Sequence, residues 1–123
     1  HMKLHASGED YLEAVLILEK KKGAARSVDI AEQLGVSKPS VSRAVSLLKE
    51  GGFLWADDNL LYLTDAGREV AEKIYERHCF FKNRLLNAGV DETTAEKEAC
   101  QLEHGLSDDS FDKIKRAATD CNN

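Results

Sequence analysis

Residues 27–43 read Ser-Val-Asp-Ile-Ala-Glu-Gln-Leu-Gly-Val-Ser-Lys-Pro-Ser-Val-Ser-Arg, and the architecture can be worked out from this stretch. Ser27 is placed to cap a short helix that Gly35 ends, since serine favours the N-cap and glycine the left-handed position after a helix. Ser37 is the natural cap of a second helix, with Pro39 in its first turn, where a missing N–H does no harm. Two short helices joined by Gly-Val-Ser, the second polar and basic outside, predict a helix-turn-helix.

The flanking segments extend this motif into a winged helix. Residues 8–22, with Ser7 as the cap, have the wide apolar face of an amphipathic helix. Residues 53–56 and 60–64 read as two strands, and residues 57–59, Asp-Asp-Asn, supply the turn between them. The order helix, helix, recognition helix and hairpin predicts a winged helix-turn-helix domain.

The second half of the sequence predicts helices only. Thr64 is placed to cap a long helix that reaches about residue 88, and Asp91 to cap a further helix. Ser107 or Asp108 should cap a last helix. The helix that starts at Asp91 would carry Glu96, Cys100, Glu103 and His104. The predicted fold class is mainly α: a winged helix-turn-helix domain followed by an all-helical domain.

The charge is unevenly distributed along the chain. The net charge of −5 would disfavour a nucleic-acid partner, but residues 20–49 carry seven basic and two acidic side chains, a local charge of +5. Residues 65–123 carry nine basic and thirteen acidic side chains, a local charge of −4. Because phosphate binding depends on the local field, the first half suits DNA, and the acidic second half has carboxylates available for a cation.

Composition predicts a cytoplasmic protein. Three widely spaced cysteines, Cys79, Cys100 and Cys121, are an odd number and no disulfide framework, which favours a reducing compartment. No apolar run approaches the roughly 18 residues of a membrane span, and no signal peptide is visible, so no membrane partner is expected. His1 before Met2 reads as an expression remnant.

Residues 100–104, Cys-Gln-Leu-Glu-His, carry the pattern with the most chemistry. On a helix, Cys100 is three residues from Glu103 and four from His104, so the three side chains leave one face within a turn. A thiolate, a carboxylate and an imidazole that converge are a transition-metal ligand set. Beside a DNA-reading domain, this pattern indicates a metal-gated transcription factor.

With these features the chain resembles the diphtheria-toxin-repressor family, which includes the iron and manganese repressors of bacteria. The resemblance covers residues 5–119. Four segments carry it: Glu9-Asp10-Tyr11-Leu12-Glu13, Ser37-Lys38-Pro39-Ser40-Val41-Ser42, Leu63-Thr64-Asp65-Ala66-Gly67, and Arg77-His78 with Ala99-Cys100-Gln101-Leu102-Glu103-His104.

The resemblance implies a homodimeric repressor rather than an enzyme. Such a protein binds operator DNA when Fe²⁺ or Mn²⁺ is present and represses metal-homeostasis genes. The resemblance implies a DNA-binding domain over residues 3–70 and a metal-binding dimerisation domain over residues 71–123. The sequence stops before the SH3-like third domain of the iron type, which implies a short two-domain form.

The resemblance also implies the metal ligands. The implied set is Asp10, Glu13, His78, Cys100, Glu103 and His104. Asp10 and Glu13 match the manganese type, whereas Cys100 matches the iron type. Hard carboxylates favour Mn²⁺ and the thiol favours Fe²⁺, with Co²⁺, Ni²⁺ or Zn²⁺ as possible surrogates. Lys82 stands where the iron type has a ligand glutamate, and Glu96 where it has a ligand histidine. These differences weaken the case for a second metal site. The positive charge of Lys82 could take the place of a second cation.

Seven residues are candidates for DNA contact: Arg26, Ser37, Lys38, Pro39, Ser40, Ser42 and Arg43. Arg43 is the best base reader, because arginine can bond O6 and N7 of guanine together. The serines suit phosphates or base edges, Pro39 suits a thymine methyl, and Lys38 and Arg26 suit the DNA backbone.

The sequence leaves simpler interpretations open. Asp10 and Glu13 could only compensate a helix dipole, His78 could be a hydrogen-bonded core histidine, and Cys100 could be a small hydrophobe. Jointly, the residues favour a cation that joins the ligands of the first helix to those of the second domain. A metal-independent winged-helix regulator that responds to a small organic ligand is the alternative. A small zinc hydrolase is disfavoured, since no His-Glu-x-x-His or nucleophilic serine motif is present.

Overall fold

The structure is a computed structural model that describes residues 4–121, with side chains described as far as residue 118. The chain divides into two compact units, the first ending at Lys73 and the second beginning at Ile74. The predicted fold class is confirmed: helices and a small antiparallel wing sheet form the first part, and helices form the second. No helix in the described part of the chain is both long and apolar enough to cross a membrane.

Helix α1 spans Ala6–Lys22 and begins earlier than the sequence predicted. The prediction that Ser7 caps it was wrong: His5 is the N-cap, and its carbonyl accepts a hydrogen bond from Glu9 N at 3.1 Å. Ser7 therefore lies inside the first turn. The predicted end is confirmed, because Gly23 adopts the left-handed conformation with φ 78°.

The helix-turn-helix consists of α2, Ser27–Leu34, and α3, Lys38–Glu50. Arg26, not Ser27, is the N-cap of α2, because extended strand backbone at Arg26 leads directly into the helix. The other predicted signals are confirmed. Gly35 ends α2 with φ 67°, and the hydroxyl of Ser37 accepts a hydrogen bond from Ser40 N at the start of α3.

The wing is a three-stranded antiparallel sheet in the order β1-β3-β2. Strands β2, Leu54–Asp57, and β3, Leu60–Leu63, form the predicted hairpin. Strand β1, Ala25–Arg26, was not predicted, since two residues carry no alternation to detect. Its pairing with β3 ties the wing to the start of α2.

The first unit buries one apolar core beneath α1, α2, α3 and the sheet. Its most buried side chains are Leu12, Ala14, Val15, Leu16, Leu18, Ala25, Ile30, Val41, Leu48 and Leu54. This core fixes the orientation of α3, whose opposite face is exposed. On α3, Val41, Val45 and Leu48 are buried and Ala44 is half-buried.

Helix α4, Asp65–Asn87, starts against the base of the wing. As predicted, Thr64 caps it: the Thr64 hydroxyl accepts a hydrogen bond from Gly67 N at 3.1 Å and donates one to Gly52 O at 2.6 Å. Gly67 lies so close to Phe53 O that a side chain there would overlap the carbonyl. Because Gly67 has no side chain, the start of α4 can contact the backbone at Phe53.

The second unit contains the remainder of α4 with α5, Glu92–Leu102, and α6, Asp108–Cys121. Ser107 caps α6, because its hydroxyl accepts a hydrogen bond from Ser110 N. Of the two predicted caps, Ser107 and Asp108, Ser107 is therefore the observed one. The prediction that Glu103 and His104 lie within α5 was wrong. Glu103 is the C-cap and His104 belongs to the following turn.

Candidate metal centre and nucleic-acid interface

His78 is a buried imidazole on α4 with a carboxylate on each side. Its Nδ1 lies 2.9 Å from Glu103 Oε2, and its Nε2 lies 3.0 Å from Glu96 Oε1. The Sγ of Cys100 lies 3.6 Å from the same Nδ1. The ring therefore presents one nitrogen to Cys100 and Glu103 and the other to Glu96.

Three of the predicted ligands form one cluster inside the second unit. His78, Cys100 and Glu103 each offer a ligand atom, and these atoms lie within 4.8 Å of one another. A thiol, an imidazole nitrogen and a carboxylate oxygen at such distances are the donor set of a transition metal. Cys100 is exposed, whereas His78 and Glu103 are buried.

The electrostatics of the cluster favour positive charge. Cys100 and then Glu103, together with Glu96, raise the pKa of His78 well above its usual value, although burial opposes them. The cluster thus holds a proton on His78, and a metal ion would have to displace it because ligation needs a neutral ring.

Glu103 gives the strongest sign that a cation fits. Its side chain is 0% exposed, and Oε1 forms no hydrogen bond with any described residue. The imidazole of His104 is an ionic partner, with Nε2 at 3.4 Å from Oε1. A buried carboxylate oxygen without a hydrogen bond costs roughly 1–3 kcal/mol or more, and a metal ion would remove that cost. The donor set and this oxygen therefore fit a divalent metal.

Arg77 holds the turn that carries Glu103 and was not singled out from the sequence as a functional residue. Its side chain is 4% exposed and donates hydrogen bonds to Glu103 O at 3.3 Å and to Leu106 O at 2.6 Å. It also binds Asp108 Oδ1 at 2.6 Å. These bonds occupy carbonyls at the end of α5, so the chain turns there. In the sequence, Arg77 stood out only as part of the Arg77-His78 segment that carries the family resemblance.

Lys82 and Glu96 adjoin the cluster. Lys82 Nζ lies 3.0 Å from Glu96 Oε2, while the other oxygen of Glu96 faces His78. Partial burial opposes ionisation, but Lys82 and His78 hold the pKa of Glu96 below its usual range. Glu96 is therefore an anion between two positively charged partners.

Asp10 and Glu13, the two ligands expected from the first helix, lie on α1 in the first unit. Asp10 is half-buried and Glu13 is 6% exposed. Burial of a glutamate on the face of α1 that also carries Leu12 and Leu16 is unusual, because charged side chains are rarely buried unless they are paired.

The candidate DNA-contacting residues lie mostly on the first half of α3. Ser37, Lys38, Pro39, Ser42 and Arg43 are exposed, and Ser40 is half-buried. The hydroxyl of Ser37 is engaged in capping, because it accepts from Ser40 N and donates to Ser40 Oγ at 2.9 Å. Lys38, Ser42 and Arg43 are exposed polar side chains of this face that take no part in the cap, so they are accessible to a ligand.

Arg26 lies apart from α3, on strand β1. Its Nε lies 3.3 Å from Asp29 Oδ2, and Lys22 Nζ lies 3.4 Å from Asp29 Oδ1. The side chains of Arg26 and Lys22 are both 56% exposed, so each keeps access to solvent. Asp29 orients these two cations beside the start of α2.

Two family descriptions match the chain in succession. "Iron dependent repressor, N-terminal DNA binding domain" matches residues 3–57, and "Iron dependent repressor, metal binding and dimerisation domain" matches residues 64–121. The HTH-type transcriptional regulator MntR of Shouchella clausii is 36% identical over 109 residues, which cover 88% of this chain and 76% of that protein. The chain belongs to the iron-dependent repressor family. The predicted membership of the diphtheria-toxin-repressor group is confirmed.

Other members of the iron-dependent repressor family agree with this assignment. The transcriptional regulator MntR of Escherichia coli O6:H1 is 33% identical over 111 residues, which cover 87% of this chain and 70% of that protein. A solved manganese-dependent transcriptional repressor in complex with manganese is 28% identical, with a TM-score of 0.79 over 89% of this chain and 51% of that one.

Membership of the iron-dependent repressor family establishes the class of function. The chain is a metal-dependent transcriptional regulator and not an enzyme. It has a DNA-binding domain followed by a metal-binding and dimerisation domain, which imply DNA and a second copy of the chain as partners.

Proposed function

We propose that this protein is a cytoplasmic repressor of metal-homeostasis genes that binds operator DNA as a homodimer when Fe²⁺ or Mn²⁺ is bound. The observation that carries the proposal is the cluster of His78, Cys100 and Glu103 in a chain whose first unit is a winged helix. Residues 3–70 would read DNA, and residues 71–123 would bind metal and dimerise.

The proposed ligand set is Asp10, Glu13, His78, Cys100, Glu103 and His104. A divalent cation would neutralise carboxylates that otherwise repel one another. Asp10 and Glu13 belong to the DNA-binding unit and the other four to the second unit, so a shared ion would restrict the angle between the units. In the dimer, that angle sets the distance between the two α3 helices. This distance must be roughly 34 Å for the helices to read successive major grooves.

On the DNA side, α3 is the proposed recognition helix. Arg43 would read guanine, and Ser37, Ser40 and Ser42 would bond phosphates or base edges. Lys38 and Arg26 would contact the DNA backbone, and Pro39 a thymine methyl. The support is the exposure of this face together with the family's DNA-binding domain.

The donors favour two different ions. Asp10, Glu13 and Glu103 favour Mn²⁺, whereas Cys100 favours Fe²⁺, and Co²⁺, Ni²⁺ or Zn²⁺ would serve as surrogates. Because His78 holds a proton in the cluster, metal affinity should rise with pH and fall in mild acid.

An electrophoretic shift assay tests the function. A duplex is first selected from random-sequence DNA by the Mn²⁺-loaded protein, and its affinity is then compared with Mn²⁺, with Fe²⁺ under anaerobic conditions and with excess chelator. Allosteric coupling of roughly 1–3 kcal/mol predicts about 5- to 150-fold tighter binding with metal. H78A should lose this difference, and E98Q, an exposed site on α5, should keep it. Equal binding after complete chelation would reject metal gating and favour a metal-independent regulator.

A further inference from the structure

The two ring nitrogens of His78 have different surroundings. Nδ1 faces the cluster, 2.9 Å from Glu103 Oε2 and 3.6 Å from Cys100 Sγ. Nε2 faces Glu96 Oε1, 3.0 Å away. In a neutral imidazole one nitrogen carries the proton and the other has the lone pair that binds a metal. The partner of Nε2 therefore decides which nitrogen is left for a cation.

Glu96 is held in place by a second partner. Its Oε2 lies 3.0 Å from Lys82 Nζ, so each carboxylate oxygen has one neighbour. Lys82 also lies 3.8 Å from Glu92 Oε1. The side chain of Glu96 is 50% exposed and that of Lys82 is 28% exposed, so neither is needed to fill the core.

We propose that Glu96 and Lys82 are positioning residues of the metal site: Glu96 accepts a hydrogen bond from the Nε2–H of His78, which keeps the proton on Nε2 and leaves Nδ1 as the nitrogen that binds the cation. The inference rests on the proposed metal-dependent function. Histidine ligands commonly donate their other N–H to a carboxylate, which fixes the tautomer and raises the basicity of the ligating nitrogen.

Lys82 has a separate part in the arrangement. Its ammonium lies 3.0 Å from Oε2 of Glu96, the carboxylate oxygen that does not face His78. With a proton on Nε2 and an ammonium beside Oε2, neither His78 Nε2 nor Glu96 Oε2 is left to bind a second cation. The Lys82–Glu96 pair thus occupies the Nε2 side of the His78 ring. The Nδ1 side, which faces Cys100 and Glu103, is left for the cation.

A stabilising surface ion pair is the simpler explanation, and metal affinity rather than stability separates it from a positioning role. Exposed ion pairs contribute roughly 0–1 kcal/mol to folding, so loss of Glu96 should change stability little in either case. Only the positioning role predicts that metal affinity and the protonation pattern of His78 change.

The experiment uses the intact protein and Zn²⁺, which is diamagnetic. Zn²⁺ affinity is measured by competition with a chromophoric chelator for E96A, E96Q and K82M, with E98Q and K97M as controls at exposed sites of α5. Long-range ¹H–¹⁵N spectra of the Zn²⁺-loaded wild type report which nitrogen of His78 carries the proton. Urea unfolding in chelator checks that each variant folds.

We expect E96A to bind Zn²⁺ about 10- to 100-fold more weakly, as for other partners of ligand histidines. E96Q should recover most of the loss, because its amide oxygen still accepts the Nε2–H bond, and K82M should lie between the two. Both controls should match the wild type. The spectra should show the proton on Nε2 and zinc on Nδ1.

Wild-type affinity in a folded E96A, or a proton on Nδ1 in the zinc-loaded wild type, would overturn the inference while leaving metal gating intact. The spectra decide the question even if E96A does not fold. A wild-type protein that binds neither Zn²⁺, Mn²⁺ nor Fe²⁺ is a distinct result and would overturn the proposed function and the inference together.

Discussion

Arg77 connects α4 to the turn that carries Glu103. It is buried, it donates hydrogen bonds to Glu103 O and Leu106 O, and its guanidinium lies 5.3 Å from the centre of the Phe111 ring. A planar fork of donors can satisfy several carbonyls at once, which lysine cannot do. A residue that binds no metal can therefore determine where a metal ligand lies.

We expect R77M to lower the free energy of unfolding by about 2–5 kcal/mol, because buried carbonyls and Asp108 lose a charged partner. Urea unfolding measures the change, and R84M, at an exposed position of the same helix, is the control. R77K should be nearly as unstable. If R77M and R84M unfold at the same urea concentration, Arg77 does not hold the turn.

Cys100 is the ligand that should bias the choice of ion. Replacing its thiol by a carboxylate in C100E removes the soft donor from the cluster with His78 and Glu103. The ratio of Zn²⁺ to Mn²⁺ affinity should fall by at least tenfold, as measured by competition titration. The control is C79S, at a half-buried site outside the cluster. An unchanged ratio of affinities in C100E would show that the thiol does not select the metal.

At the scale of elements, the contact between the start of α4 and the wing depends on Gly67. Alanine normally stabilises a helix by about 1 kcal/mol relative to glycine. At position 67 the new methyl group would overlap Phe53 O, and overpacking costs roughly 1–3 kcal/mol. The overlap should win, so G67A should unfold at a lower urea concentration than the wild type.

Gly105 provides the matched control for this substitution. A Cβ at Gly105 would lie 3.8 Å from Leu102 O, which is an ordinary contact. G105A should therefore change stability less than G67A. Equal effects of the two substitutions would contradict the close packing of α4 on the wing.

The start of α2 should respond to acid through Asp29. Arg26, and then Lys22, lower the pKa of Asp29, although burial opposes them. A carboxylate whose pKa is lower in the folded state stabilises the fold above its unfolded pKa of about 3.9, and this stabilisation is lost as pH falls through the folded value. The difference in urea midpoint between the wild type and D29N should be constant from about pH 7 to 5 and shrink below about pH 4. The control is E32Q, on the exposed face of α2. A difference in urea midpoint between the wild type and D29N that persists in strong acid would contradict the ion pairs of Asp29.

At the scale of the whole molecule, metal binding and folding should be linked. A ligand that binds only the folded protein stabilises it by about 2.7 kcal/mol when its concentration is 100 times Kd. Mn²⁺ or Zn²⁺ should therefore raise the unfolding temperature at fixed protein concentration, and chelator should reverse the effect. H78A should reduce this increase, and E98Q should not. An unfolding temperature that does not respond to either metal would exclude a site in the folded chain.

Much of the fold could be predicted because its signals are local. Gly23 and Gly35 end helices in left-handed conformations, and Ser37, Thr64 and Asp91 cap the helices that follow them. Turn and cap chemistry depends on a few adjacent residues, so the sequence displays it directly. The two wrong caps, Ser7 and Ser27, are one or two residues from the true ones, where the extended residue before each helix could not be identified from composition.

Local sequence therefore established the winged helix, the helical second domain and the residue types of a metal centre. Only the tertiary packing determined which of these metal-centre residues contact one another. His78 meets Cys100 and Glu103 across 22 and 25 residues of sequence, and Glu96 across 18. No periodicity encodes such distances, because they arise where α5 and the turn after it pack on α4. The anchoring by Arg77, the pairing of Lys82 with Glu96 and the short strand β1 follow from the same long-range packing.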